Sequence, residues 1–158
     1  MQGIKPFLWF NGNAEEAARF YVSVFPNARM GKVIPYGEGG PGQAGSAMTV
    51  TFEINGLEFV ALNGGPQFPF TPAVSFAIPC ESQAEIDEVW AKLTADGGKE
   101  MECGWLTDRF GLSWQVVPAN IAELLQGRDA EGGKRAMQAM LQMKKLDIET
   151  LQRAGGLG

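Results

Sequence analysis

The sequence contains no histidine, and this absence excludes more chemistry than any other feature of its composition. Imidazole is the commonest side-chain general base and metal ligand, so Ser-His and Cys-His couples and histidine-based zinc sites are ruled out. Only two cysteines are present, Cys80 and Cys103, and they are too far apart to form the CxxC pair of a zinc ribbon or a thioredoxin-like protein. We expect both thiols to be buried and reduced.

Charge balance and hydrophobic runs exclude two further classes of protein. Eighteen acidic residues against thirteen basic ones give a net charge of −5, which argues against general binding of nucleic acids. No apolar run reaches the length of a membrane span, and residues 1–5 lack the features of a signal peptide. With 158 residues and 45% hydrophobic composition, we expect one cytoplasmic domain over 1–158, with no membrane partner.

A faint internal repeat organises the chain. In each copy an extended apolar stretch leads to a residue that can cap a helix, followed three positions later by a glutamate. These pairs are Asn13 with Glu16 and Ser82 with Glu85. An offset of 69 also carries one helical apolar stripe onto the other: Ala17, Phe20, Tyr21 and Val24 onto Ile86, Val89, Trp90 and Leu93.

Strands complete each copy of the repeat. Residues 48–54 alternate between apolar and polar side chains, as in a half-buried strand, and Asn55-Gly56 after them is a strong hairpin signal. The returning stretch 56–62 matches 111–117 at an offset of 55. The glycine-rich insert 37–45 explains most of the difference between the two offsets. The alternative is that the apparent repeat is accidental, because any α+β chain contains helix and strand starts that can be matched with one another.

The repeat predicts an α+β fold of two βαβββ modules, about 1–66 and about 70–118, which form a cupped mixed sheet with a ligand cleft. A helical tail follows over about 119–158. Within the tail we predict a short helix at 121–126 and a longer one from about 134 to 153, which is rich in methionine. This longer helix is expected to fill core space or contact a partner subunit.

Gly37, Gly39 and Gly42 match the GxGxxG string of loops that bind dinucleotides or adenosylmethionine. That string binds a nucleotide only where a strand ends and a helix begins, whereas here a strand follows and Pro41 lies within the turn. We interpret the segment as a flexible hairpin loop that can close over a ligand.

Four polar or aromatic positions remain open to two interpretations. Asp108 either caps a turn or contacts a ligand, and Asn63, which precedes two glycines, is either a turn residue or an amide that binds a ligand carbonyl. Gln115 faces opposite to its neighbour Trp114, so only one of these two faces of the strand looks into the cleft.

Five segments carry a resemblance to a known family: Ala14–Ala17 with Phe20–Pro26, Gly40–Ser46, Ala61–Pro66, Trp105–Gln115 and Met140–Ile148. They resemble the PhnB-like proteins of the glyoxalase, bleomycin-resistance and extradiol-dioxygenase superfamily, also called vicinal oxygen chelate. Many of these proteins bear the name 3-demethylubiquinone-9 3-methyltransferase. The resemblance covers nearly the whole chain and implies the glyoxalase/bleomycin-resistance-like fold, paired βαβββ modules and a homodimer.

The resemblance also implies where a metal would be held. Metal-dependent relatives take ligands, often His and Glu, from the first and last strand of each module. These places fall near Pro6, Val60, Ser75 and Gln115, of which only Gln115 has a suitable side chain. We therefore expect no metal and no other cofactor, which disfavours glyoxalase, dioxygenase and thiol-transferase chemistry.

The function that we predict is metal-independent binding of a small aromatic or quinone-like molecule, without an assigned catalytic residue. The predicted ligand-binding residues are Trp9, Phe59, Asn63, Trp105, Asp108, Trp114 and Gln115. One alternative is an enzyme on such a substrate, a 3-demethylubiquinone methyltransferase or another group transferase. Its acid, base or nucleophile would be Asp108, Glu58, Tyr36 or Cys103. The other alternative is a dimeric structural module.

Overall fold

The computed structural model describes residues 1–158 and contains two compact units, Met1–Phe70 and Thr71–Gly158. No helix in either unit has the length and apolar character needed to cross a bilayer.

The first unit is one βαβββ motif. Its elements are β1 (Phe7–Phe10), α1 (Ala14–Val24), β2 (Ala28–Pro35), β3 (Ala47–Ile54) and β4 (Leu57–Asn63). The strands form a mixed sheet in the order β1-β4-β3-β2, in which β1 is parallel to β4 and the other neighbours are antiparallel. Helix α1 packs on one face of this sheet, where the ring of Tyr21 lies 5.8 Å from that of Phe52.

The second unit opens with the same motif. Its elements are β5 (Ser75–Cys80), α2 (Gln83–Thr94), β6 (Lys99–Glu100), β7 (Trp105–Thr107) and β8 (Ser113–Pro118). The strand order β5-β8-β7-β6, with β5 parallel to β8, repeats the topology of the first sheet. Helix α2 covers one face with the buried Ile86, Trp90 and Leu93. The predicted repeat of βαβββ modules is therefore confirmed.

The two sheet-covering helices begin differently. At α2, Ser82 Oγ accepts a hydrogen bond from the Glu85 amide at 3.2 Å, so the predicted cap is confirmed. Asn13 makes no such bond at α1, and its backbone (φ −112°, ψ 25°) lies outside the extended conformation of a helix cap. Instead, Asn63 at the end of β4 accepts from the Ala14 amide at 2.9 Å, so the predicted Asn13 cap is wrong.

Turn chemistry fixes the register of the first sheet. Asn55 and Gly56 both have positive φ, 48° and 83°, which is typical of the two-residue hairpin turn predicted for this pair. The turn pairs Ile54 with Leu57 and therefore Phe52 with Phe59. The glycine-rich segment is confirmed as a hairpin loop, because it joins β2 to β3 and no helix follows it.

After β8 the chain forms three helices, α3 (Ile121–Gln126), α4 (Ala130–Leu141) and α5 (Ile148–Ala154). The predicted short helix is confirmed, whereas the single long helix from about 134 to 153 is wrong. Carbonyl groups of the intervening segment 142–147 accept hydrogen bonds from the β6–β7 connection. The amide of Cys103 donates to Met143 O at 2.8 Å, and that of Gly104 donates to Lys144 O at 2.7 Å.

A new helix then starts at Asp147, which accepts from the Thr150 amide at 2.7 Å, and this bond lowers the pKa of its carboxyl group. Gln83 of α2 holds the segment in place by donating to Leu146 O at 3.0 Å and accepting from the Ile148 amide at 2.8 Å. Leu146 is completely buried with Leu124 and Leu151, so the tail belongs to the core of the second unit.

Both cysteines are free thiols. Cys80 is buried at the end of β5, and burial together with the nearby Glu85 and Glu81 raises its pKa from 9.0 to about 11. Cys103 is half-buried, so the expectation of two buried thiols is confirmed for Cys80 only.

Candidate functional site

Each sheet has one face that is not covered by its own helix, which we call the far face. Alternation along the strands and the pairing register place two sets of side chains there. In the first sheet the set is Phe7, Trp9, Thr49, Thr51, Glu53, Glu58, Val60 and Leu62. In the second sheet it is Ser75, Ala77, Pro79, Trp105, Thr107, Ser113, Gln115 and Val117. Lys99 of the edge strand β6 is paired with Thr107.

The far face of the second sheet combines an indole with neutral hydrogen-bonding groups. Gln115 lies directly opposite Trp105 in the register of β7 and β8. Its Nε2 donates to Ser75 Oγ at 2.9 Å, while its Oε1 has no protein partner. Ser113, paired with Ser75 and Thr107, is completely buried and its hydroxyl makes no hydrogen bond. This arrangement can stack a ring and hydrogen-bond a carbonyl or hydroxyl group.

Trp114 and Asp108 lie in the core instead. The Trp114 indole is 3% exposed, and its Nε1 donates to Asp108 Oδ2 at 2.9 Å. The other carboxyl oxygen accepts from the amides of Phe110 at 2.8 Å and Leu112 at 3.1 Å. Asp108, itself 2% exposed, therefore organises the turn between β7 and β8. Both residues have a structural role, and we leave them out of the candidate site.

Phe59 also belongs to the core. Its ring is 3% exposed and stacks nearly parallel on Phe52, with the centroids 5.1 Å apart, on the face that α1 covers. The sequence does contain a signal that places Phe59 on the buried face. A two-residue turn at 55–56 fixes the register, so Phe59 has to share the face of Phe52.

The amide of Asn63 is used within the first unit. Its Oδ1 accepts from Ala14 and its Nδ2 donates to Ala47 O at 3.0 Å, so it ties the end of β4 to the start of α1 and of β3. The hydroxyl of Tyr36 donates to the main-chain oxygen of Asn63 and anchors the base of the hairpin loop.

Trp9 lies on the far face of the first sheet and is half-buried. Its Nε1 donates to Gly65 O at 2.9 Å, and Phe68 meets the indole edge-on with the ring centroids 4.9 Å apart. A side chain at Gly64 would begin 2.3 Å from the indole ring, so only glycine fits there. The loop 64–68 thus holds Trp9 in one orientation.

Charged pairs mark the rest of the far face of the first sheet. Glu53 and Glu58 are direct cross-strand partners, and repulsion between their like charges destabilises such a pair. Each carboxylate is compensated by its own cation, Glu53 by Arg29 at 3.1 Å and Glu58 by Lys5 at 2.5 Å. The far faces of the two units therefore differ in charge although their backbones repeat.

The positions implied for metal ligands do not fit a zinc, nickel or iron ion. In the first unit they are Pro6 and Val60, whose side chains have no donor atom, and their backbones are joined by a hydrogen bond of 3.0 Å. In the second unit they are Ser75 and Gln115, which are neutral and bonded to each other. Transition metals in proteins favour imidazole, thiolate and carboxylate ligands, and none of these is present at the four positions.

Comparison with known proteins identifies relatives of this chain. The family model for 3-demethylubiquinone-9 3-methyltransferase matches residues 2–117, which contain almost all of the two βαβββ motifs. A PhnB protein from Bacillus cereus has 38% sequence identity over 75% of this chain and 100% of its own, with a TM-score of 0.67.

Two further solved structures are more distant. A protein from Pseudomonas aeruginosa has 24% identity over 75% of this chain and 98% of its own, with a TM-score of 0.61, and shares the fold. A glyoxalase/bleomycin resistance protein from Albidiferax ferrireducens T118 has 14% identity over 71% of this chain and 93% of its own, with a TM-score of 0.49. No curated protein matches the sequence.

Proposed function

This chain belongs to the 3-demethylubiquinone-9 3-methyltransferase family, and from that membership we propose that it binds a small aromatic or quinone-like molecule without a metal ion. The proposed site is the far face of the second sheet. The observation that carries the proposal is the register pair of Trp105 and Gln115, which sets an indole beside a side-chain amide whose second Nε2 hydrogen and whose Oε1 have no protein partner. A quinone carbonyl can accept from that hydrogen, and a phenol hydroxyl can donate to Oε1.

The buried hydroxyl of Ser113 supports a polar ligand group at this site. A buried hydroxyl without a partner costs about 1–3 kcal/mol. Ser113 lies between Ser75 and Thr107 in the register, next to the hydrogen bond that joins Ser75 to Gln115. The hydroxyl is closed to solvent, so a ligand carbonyl or hydroxyl removes that cost only if the groups that cover it move aside, and an apolar ligand does not remove it.

Charge supports a neutral ligand. Strands β5, β7 and β8 present only serine, threonine, glutamine, alanine, valine, proline and tryptophan on the far face. Lys99 of the edge strand β6, the partner of Thr107, is the one ionic residue paired with this set. A carboxylate buried against these groups loses its hydration without gaining an ion pair. The site therefore favours quinones, phenols and aromatic ketones or amides over aromatic acids.

Group transfer to a hydroxylated quinone is the second candidate function, because the family model carries the name of a methyltransferase. The residues present do not fit the nucleotide cradle of adenosylmethionine enzymes, since the glycine string at 37–42 leads into β3 rather than into a helix. Of the candidate acids, bases and nucleophiles, Asp108 and Tyr36 are hydrogen-bonded within the fold and Glu58 is ion-paired. Cys103 remains as a half-buried thiol.

Titration calorimetry with duroquinone tests the binding function, because its fully substituted ring lacks an open carbon for thiol addition. We expect wild-type protein to bind it, and Trp105→Ala or Gln115→Ala to weaken the affinity about tenfold, as expected for loss of about 1.4 kcal/mol. Gln138→Ala on the exposed side of α4 is the matched control and leaves the affinity unchanged.

Two results would overturn this proposal. One is the same duroquinone affinity in wild type and in both site variants. The other is binding that requires added zinc, nickel or iron and disappears with a chelator.

The homodimer implied by the resemblance remains a prediction. Sedimentation equilibrium of the full chain measures the oligomeric state directly.

A further inference from the structure

We propose that the first unit carries a second ligand site, for a small organic monocarboxylate, in a pocket along β2 and β3. The pocket has a volume of about 390 Å³, and the residues that line it include Arg29, Gly31, Lys32, Ile34, Thr51 and Glu53. This volume is within the range of small-molecule sites in proteins. None of the residues predicted for the aromatic ligand takes part in it.

A β-bulge shapes this pocket. The pairing of β2 with β3 shifts between Met30 and Val33, and Thr51 Oγ1 accepts from the Lys32 amide at 2.7 Å inside the shift. A side chain at Gly31 would begin 2.2 Å from Thr51 Oγ1 and 2.9 Å from Thr51 O, so the close approach requires glycine. Bulges bend a strand locally and are common next to binding sites.

The charges at the pocket leave one cation unpaired. Arg29 forms an ion pair with Glu53 at 3.1 Å, and Glu58, which also lines the pocket, forms one with Lys5 at 2.5 Å. Lys32 lines the same pocket and has no acidic side chain within ion-pair distance. These five groups sum to one positive charge, in a chain whose net charge is −5.

The ligand class follows from this local charge and from the adjacent apolar surface. A single carboxylate can pair with the Lys32 ammonium and balances the local charge of +1, whereas the second carboxylate of a dianion would have no cation left to pair with. Ile34, which is 46% exposed, provides an apolar wall for the body of the ligand. A small acid with one carboxylate and a short apolar or aromatic body therefore fits best.

Benzoate is the probe, and benzamide is its neutral counterpart of the same shape. We expect wild-type protein at low ionic strength to bind benzoate, with the largest amide shifts in ¹H–¹⁵N NMR at β2. The Lys32→Met variant should bind benzoate about fivefold more weakly, which corresponds to about 1 kcal/mol. Lys134→Met in α4, where the lysine is also exposed, is the control and leaves the affinity unchanged.

Benzoate shifts that are absent from β2 at saturation would overturn the proposal, and so would equal benzoate affinities of wild type and Lys32→Met. Equal losses in Lys32→Met and Lys134→Met would overturn it as well, because they would indicate general charge attraction. Benzamide perturbing β2 as strongly as benzoate would contradict the carboxylate class. The Gln115→Ala variant tests the proposed site in the second unit separately, and it should leave the benzoate-induced shifts at β2 unchanged.

Discussion

The two units share one βαβββ backbone and present opposite chemistry on their far faces. In the first unit the face carries the ion pairs Arg29–Glu53 and Lys5–Glu58 beside Trp9. In the second unit the equivalent face carries Trp105 and Gln115 among neutral hydroxyl groups. Because helices α1 and α2 bury the other face in both units, the core constrains one set of alternating residues and leaves the other free to diverge.

The units also differ in how they secure the end of the motif. In the first, the Asn63 amide joins the end of β4 to α1 and β3. In the second, the Asp108 carboxyl group joins the turn before β8 to the buried indole of Trp114. Asn63 thus replaces a local helix cap by contacts between distant parts of its unit, whereas Asp108 bonds only to residues two to six positions further along the chain.

Replacing Asp108 by alanine should destabilise the protein by about 3 kcal/mol, because three donors, one of them the buried Trp114 indole, lose their acceptor. Urea unfolding followed by tryptophan fluorescence measures the change. Asp108→Asn keeps the shape and one acceptor oxygen and should recover part of the loss. A loss below about 1 kcal/mol in Asp108→Ala would contradict the role of this carboxyl group.

Replacing Asn63 by alanine should cost about 2 kcal/mol, since the Ala14 amide loses its cap and the Ala47 carbonyl loses its donor. The same unfolding assay applies, with Asn13→Ala as the control. Because Asn13 makes no capping bond, its replacement should change stability far less. Equal losses of stability in the two variants would show that Asn13 caps α1 after all. The two units would then not differ in this respect.

Alkaline pH should destabilise the protein through Cys80, by about 1 kcal/mol near pH 10. The folded thiol has a pKa of about 11 against an ordinary value of 9.0, so the unfolded chain releases this proton first as the pH rises above 9. The offset of 69 relates Cys80 to the exposed Asn11, so the first unit has no equivalent thiol.

Comparing wild type with Cys80→Ala at pH 8 and pH 10 isolates this contribution. The fall in unfolding free energy between the two pH values should be smaller in the variant. A fall of the same size in both proteins would mean that the Cys80 thiol ionises as readily in the folded state as in the unfolded one.

Much of the fold could be predicted because its signals are local and periodic. The stripe in α2 with its Ser82 cap, the alternation in β3 and the Asn55-Gly56 turn each determine an element without reference to distant residues. The long tail helix was wrong because its interruption is tertiary. The carbonyls of Met143 and Lys144 bind the 103–104 amides, and Gln83 of α2 secures Leu146.

The candidate site was harder to predict than the fold. Residues 57–62 contain one charged position among apolar ones, so alternation alone does not show which side of β4 is buried. The position of Phe59 follows only when the hairpin register is worked through. Trp114 and Gln115 are adjacent and cannot share a face, so the sequence already excluded one of the two as a ligand contact. The buried partners of Asp108 leave no periodic signal.

The most direct test of the proposed function is a ¹H–¹⁵N NMR titration of the full chain with duroquinone. We predict that the largest shifts occur at the Trp105 indole and the Gln115 side-chain amide, together with the backbone amides of 113 and 107. Shifts confined to the first unit, or none up to the solubility limit of the probe, would contradict a neutral aromatic site on the far face of the second sheet.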